Sequence, residues 1–177
     1  MNIYSHISRA VLQRGAESAF VAVGKNGHDA KLSYAQFDAQ VKSLCAGLTE
    51  RSIGKGDPVI LLIPMQIELY VCMSAIMRIG AVTVFVDPHM RRDDFDTCCR
   101  LVKPKAFIGT PKAHLFRVFC KQLRQVPVQL TTGWLPGFIA GSIETWMRKP
   151  LHRLAPEIAD VTEAHPALIG FTTGSSG

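Results

Sequence analysis

Charge is scarce in this chain, and so are the spacings that usually betray a metal or a cofactor. Charged residues make up only 19% of it, against 47% hydrophobic residues. That balance is too apolar for a disordered segment and suits strands buried on both faces. Six histidines contain no H-x-x-x-H or H-E-x-x-H spacing, which excludes the usual zinc-hydrolase helix. Five cysteines, at 45, 72, 98, 99 and 120, form no C-x-x-C pair and are odd in number. A disulfide framework or a zinc ribbon is therefore excluded, and buried free thiols in a reducing compartment are expected. No metal site is expected within the chain. No G-x-x-x-x-G-K-[ST] loop, no early G-x-G-x-x-G and no G-x-S-x-G elbow is present, which excludes the P-loop, dinucleotide-fingerprint and hydrolase-elbow readings.

Long apolar runs are missing too. The greasiest stretch, Val59 to Val86, is broken by Pro64, Glu68 and Arg78, so strand, helix, strand is the expected reading rather than a membrane span. The first twenty residues carry Arg9, Arg14 and Glu17 without an apolar core. That is unlike a secretory leader and points to the cytoplasm. Acidic residues are absent from 100 to 124, where Arg100, Lys103, Lys105, Lys112, Arg117, Lys121 and Arg124 fall. A solvated helix face accounts for such a segment. So does a surface for an anionic partner: a membrane leaflet, an acyl carrier protein or CoA. Nucleic acid is not expected, because no recognition motif accompanies the net charge of +6.

What is present is a regular alternation. Residues 3 to 14 have the spacing of a short amphipathic helix. Ala19 to Val23 and the stretch around Leu32 suggest a hairpin about Asn26-Gly27. Ser33-Tyr34-Ala35-Gln36 is a capping box that opens a helix with an apolar face at Phe37, Val41, Leu44, Cys45 and Leu48. Apolar strands are expected at Val59 to Ile63, Val82 to Val86, Ala106 to Ile108, Val126 to Leu130 and Ala167 to Phe171. Helices are expected at Ile67 to Ile79, with Gly80 closing it, from Asp93 or Asp94 to Val102, and from Pro111 to Leu123. The alternation predicts an α/β fold of parallel βαβ layers with right-handed crossovers. Gly133 to Ala164 lacks periodicity and is expected to be a surface excursion with one helix near Ser142 to Arg148. No internal repeats occur.

The last strand runs into Thr172-Thr173-Gly174-Ser175-Ser176-Gly177. Glycines let successive backbone N–H groups converge on one point, and hydroxyls add donors, which suits phosphate. A Ser/Gly-rich flexible linker is the plainer alternative, but a linker has no reason to follow Ile169-Gly170-Phe171 in strand register.

This ending resembles the phosphate loop of the adenylate-forming superfamily, [ST]-[SGT]-G-[ST]-[STG]-G-x-P-K-G, over its first six places. Three upstream segments resemble the same family, in its order. They are Leu32-Ser33-Tyr34-Ala35-Gln36-Phe37, then Ile53-Gly54-Lys55-Gly56-Asp57-Pro58-Val59, then Arg78-Ile79-Gly80-Ala81 through Asp87-Pro88. Two departures stand out: Ser52 where a glycine is usual, and Phe85 where a proline is common. The resemblance implies that residues 1–177 are the N-terminal portion of an AMP-binding domain, cut within the phosphate loop. It implies ATP and Mg²⁺ as cofactors, with most Mg²⁺ ligands outside the chain, CoA as a possible acceptor, and a small-molecule carboxylic acid as substrate. Thr172, Thr173, Gly174, Ser175, Ser176 and Gly177 are then the nucleotide-binding residues, and no catalytic residue is expected within the chain. Tyr34, Asp57 and Asp87 are read as structural. Pro104 to His114 resembles the P-x-A-F-I-G-x-P-x-A-H stretch of fatty-acid ligases related to bacterial olefin biosynthesis. It implies a long acyl substrate, taken either to a thioester or, from a β-hydroxy acid, to a β-lactone. A non-catalytic α/β module with a basic face is the alternative from another class. The 177-residue chain alone is predicted not to catalyse adenylation; ATP–pyrophosphate exchange by that chain would overturn this.

Overall fold

The computed structural model describes residues 1–23, 30–87, 89–148 and 155–172. The chain opens with α1 (Tyr4–Arg14) and the antiparallel hairpin of β1 (Ser18–Ala22) and β2 (Ala30–Ser33); the expected Asn26-Gly27 turn lies outside the described residues. Next come α2 (Tyr34–Glu50), β3 (Pro58–Leu62), α3 (Ile67–Arg78) and β4 (Val82–Val86). They are followed by α4 (Arg92–Val102), β5 (Ala106–Gly109), α5 (Pro111–Arg117), α6 (Lys121–Arg124) and β6 (Val128–Thr131). The described part finishes with β7 (Gly141–Ser142), α7 (Ile143–Arg148) and β8 (Leu168–Phe171). Six strands form one sheet in the order β7-β6-β5-β3-β4-β8, and every pairing in it is parallel. The expected α/β architecture is the observed one.

Strand side chains alternate between two cores, as a two-residue period requires. Val59, Leu61, Ala106, Ile108, Val128 and Leu130 join α2 and α3 side chains in one cluster. Ile60, Val84, Val86 and Phe107 face the other way, onto Phe95 and Cys99 of α4 and Leu123 of α6. Each fully buried aliphatic or aromatic side chain contributes about 1.5–3 kcal/mol, so two faces rather than one hold the sheet. All five cysteines are buried free thiols, as expected.

Local chemistry explains the helix ends. Ser33 Oγ accepts from Gln36 N at 3.2 Å and Gln36 Oε1 accepts from Ser33 N at 2.9 Å, closing the expected capping box. At the far end of α2, Ser52 N donates to Thr49 O and Ile53 N to Leu48 O, a Schellman turn. It places Ser52 in the left-handed region, at φ 60°. The end of α3 repeats this geometry: Gly80 N donates to Met77 O and Ala81 N to Ile76 O, with Gly80 at φ 70°. A close approach also makes Gly47 necessary, since a Cβ there would meet Trp146 Cδ2 at 2.6 Å.

Three expectations need correction. The helix expected from Pro111 to Leu123 is two helices, because Asp96 of α4 accepts from Lys121 N and Gln122 N. Those bonds start α6 afresh, with Cys120 extended and buried before it. Helix α4 begins earlier than either aspartate: its N-cap is Arg91, and Asp93 and Asp94 sit in the first turn, where carboxylates favour the helix dipole. The region from Gly133 to Ala164 is not merely a surface excursion. It adds β7 to the sheet edge beside β6, and its return is tied to α3. Ala159 N donates to Arg78 O at 2.9 Å, and Arg78 Nη2 to Pro156 O at 3.0 Å. Asn2 Nδ2 donates to Met77 O and to Ala159 O. His165 Nε2 lies 2.7 Å from Gly80 O, which fixes the expected turn before β8.

The left-handed backbone at Ser52 costs a β-carbon-bearing residue about 1–2 kcal/mol, partly offset by glycine's larger unfolded-state entropy. Ser52→Gly is expected to stabilise the protein by about 0.5–1 kcal/mol, read as a rise in the urea midpoint at unchanged slope.

Candidate nucleotide-binding site

Parallel pairing brings all the strand carboxyl ends of the sheet to one edge. Thr83↔Leu168, Val84↔Ile169, Phe85↔Gly170 and Val86↔Phe171 set the register of β4 and β8. The ladder ends with Asp87 N donating to Phe171 O at 3.2 Å. Thr172 therefore leaves the sheet beside Asp87, and it is exposed. The other expected site residues, Thr173 to Gly177, lie outside the described residues. Strand order reverses between β5 and β3, the usual ligand crevice of an open α/β sheet. The candidate loop leaves from β8 at the sheet's end, so its own glycines and hydroxyls, not the reversal, mark it.

Asp87 at this edge and Asp57 at the opposite, amino edge are held in structural roles. Asp87 Oδ1 accepts from His89 N at 2.8 Å, shaping the turn after β4. Asp57 Oδ2 accepts from Gly54 N at 2.8 Å and pairs with Lys105 Nζ at 2.9 Å, holding the loop before β3 against the one before β5. Tyr34 follows the cap of α2. These agree with the structural reading of Tyr34, Asp57 and Asp87. Among the described residues no group of three or more His, Cys, Asp or Glu is arranged to hold a metal ion, so these residues do not by themselves form a Mg²⁺ site.

His114, the last residue of the olefin-ligase-like stretch, is buried. Its Nε2 lies 2.9 Å from Leu130 O, and its ring packs edge-on against Phe107 with centroids 4.9 Å apart. Thr110 Oγ1 accepts from Ala113 N to cap α5, with Pro111 in the first turn. The stretch thus builds a strand-to-helix corner. The thiols offer no nucleophile: burial pushes Cys45 and Cys99 up to about 12 and Cys120 up to about 11. Sequence reasoning missed one buried polar cluster. Tyr4 Oη donates to Asp38 Oδ1 at 2.7 Å, Asp38 pairs with Lys42 at 2.7 Å, and Arg78 lies over the Tyr4 ring. Burial, then the Asp38 hydrogen bond, raises the Tyr4 phenol. The cluster joins α1, α2 and α3 at a distance in sequence that no local pattern spans.

A family model described as AMP-binding enzyme matches residues 7–177. The chain belongs to that family. Among curated relatives of this AMP-binding chain, it is 28% identical to an olefin beta-lactone synthetase of Stenotrophomonas maltophilia and 30% identical to one of Xanthomonas campestris pv. campestris. Both matches cover 99% of this chain and 33% of the relative. It is also 35% identical to an acetyl-coenzyme A synthetase of Thiobacillus denitrificans, over 98% of this chain and 29% of that protein. The chain thus spans about one third of the length of these relatives. Two solved structures share the fold. Acetoacetyl-CoA synthetase from Streptomyces lividans superposes with TM-score 0.83 at 19% identity, covering 100% of this chain and 29% of that one. Brucella canis acyl-CoA synthetase gives 0.84 at 14% identity, over 99% of this chain and 32% of that one. No helix among the described residues is long and apolar enough to cross a membrane.

Burial is the main cause holding His114 below the ordinary histidine pKa, with its hydrogen bond to Leu130 opposing. The unfolded chain then takes up a proton more readily than the folded one. Stability is expected to fall as pH drops below about 6.5. Urea midpoints at pH 7.5 and 5.5 check this, and the drop should be smaller in His114→Gln.

Proposed function

We propose that the protein carrying this chain activates a carboxylic acid with ATP. The acid's carboxylate oxygen attacks the α-phosphorus, an acyl–O–P bond forms, and the bond to pyrophosphate breaks. What this chain supplies is a cradle for phosphate charge. Backbone N–H groups from Thr172 to Gly177, with the hydroxyls of Thr172, Thr173, Ser175 and Ser176, stabilise the charge that builds on the leaving pyrophosphate. Gly174 and Gly177 let the backbone turn those donors inward. The observation that supports the reading is that β8, the parallel strand directly preceding this sequence, ends at the sheet's carboxyl edge in a member of the AMP-binding family. ATP supplies the activated phosphorus, and no step is assigned to Mg²⁺, because the described residues do not form its site.

The substrate is a long-chain fatty acid, converted by way of the adenylate to its CoA thioester. A second reading has independent support from two relatives named olefin beta-lactone synthetase that match nearly the whole chain, and from the stretch Pro104 to His114. In it the acid is a β-hydroxy fatty acid. Its hydroxyl oxygen attacks the acyl carbonyl of the adenylate, the hydroxyl proton is released, AMP leaves, and a four-membered lactone closes.

The test uses the full-length protein with ATP and matched long-chain acids, with and without a β-hydroxyl. Pyrophosphate release followed by a β-lactone without CoA supports the second reading; an acyl-CoA formed only with CoA supports the first. Absence of pyrophosphate release with every acid overturns both. Thr173→Val is expected to lower kcat/KM for ATP by about 10²-fold, the usual loss when one preorganised donor is removed.

A further inference from the structure

The surface formed by α5 and the loop after β6 combines features that neither core nor candidate site uses. Helix α5 turns His114 and Ala113 inward and leaves Leu115 65% exposed, with Val118 and Phe119 exposed just beyond its end. The loop from Gly133 to Ala140 lies against this helix: Arg117 Nη1 donates to Ile139 O at 3.5 Å, and Gly133 sits over the Pro111 ring. Ile139 N donates to Pro136 O at 2.8 Å, closing a turn that carries Phe138 outward. On this loop Trp134 is 85% and Phe138 91% exposed. Aromatic side chains held out this far by an ordered turn are unusual on a surface without a partner.

Cations frame the apolar residues. Lys112 is exposed in the first turn of α5 and Lys121 at the start of α6, Arg117 ends α5 between them in the chain, and Arg92 reaches over the Phe119 ring at 6.0 Å. The acidic side chains around this face are engaged: Glu144 of α7 accepts from Gly133 N at the base of the loop and from Ser142 Oγ, and those on α4 have partners of their own. Asp94 pairs with Arg91, and Asp96 accepts the first N–H groups of α6. Asp93 lies in the first turn of α4.

We infer that this face, with Trp134 and Phe138 as inserted side chains and Lys112, Arg117 and Lys121 as the cationic rim, docks the protein on an anionic phospholipid surface. Tryptophan favours the interfacial zone, where its apolar ring and N–H meet polar headgroups, and phenylalanine adds apolar surface for insertion beneath them. Each basic residue near an anionic leaflet adds about 1 kcal/mol of attraction. An acidic carrier protein needs the cations but not two protruding aromatics, so charge complementarity together with the aromatics selects the membrane. The inference rests on this surface alone and stands or falls independently of acid activation.

The experiment is co-sedimentation of the full-length protein with vesicles of phosphatidylcholine alone and of phosphatidylcholine mixed with phosphatidylglycerol. Binding is expected only to the mixed vesicles, weakening with salt. Trp134→Ser with Phe138→Ser is expected to lower partitioning at least tenfold, and Lys112→Glu with Lys121→Glu to abolish the preference for anionic lipid. Circular dichroism of each variant confirms that it is folded. No binding to mixed vesicles overturns the inference. So does binding unaffected by the aromatic pair, which marks a purely electrostatic surface of the kind a carrier protein uses.

Discussion

The arrangement of β3 governs the rest of the molecule. It is hydrogen-bonded to β4 on one side and β5 on the other, both in parallel register. Its side chains alternate strictly, with Val59 and Leu61 to one core and Ile60 to the other. Parallel strands need a crossover between them, usually a helix packed on a face of the sheet, and here only the connection from β6 to β7 lacks one among the described residues. The consequence is positional. Every strand of the six-stranded sheet points the same way, so the loops that follow those strands open at one edge, where ligands of open α/β sheets are held.

The helix ends carry the next level of organisation. Both α2 and α3 close in Schellman turns, which satisfy carbonyls that a buried helix end leaves unpaired. The remaining carbonyls at the end of α3 are used to anchor distant chain. Asn2, Ala159 and His165 all bond to the segment from Met77 to Gly80. This junction ties the first residues of the chain to the segment preceding β8, and so aims β8 at β4. The position of Thr172 follows from that anchoring rather than from anything in the loop itself.

Polar groups that stand out in the sequence are mostly consumed by architecture. Asp57, Asp87 and Asp96 each accept backbone N–H groups, and His114 closes a corner between β6 and α5. This economy makes the exposed aromatics near α5 conspicuous, since elsewhere large apolar side chains fill the two cores.

Local signals were legible in the sequence wherever a structure is decided within a few residues. The capping box at Ser33, the βαβ alternation and the stop at Gly80 are of that kind, because hydrogen bonds between near neighbours and the two periodicities set them. Ser52 was visible as a departure, but its left-handed backbone gave that departure a physical meaning. Contacts between distant residues were not legible. Asp96 divides a helix that looks continuous, because a carboxylate on α4 competes for the N–H groups that would have extended α5. Asn2 and Arg78 capture the segment around Ala159 across most of the chain's length, and Tyr4 meets Asp38. The sequence by itself determined most of the elements and the parallel layering. Only the tertiary structure decided which strands are neighbours, where helices break and which side chains are left facing out, because those depend on hydrogen bonds and packing between residues that meet only after the chain has folded.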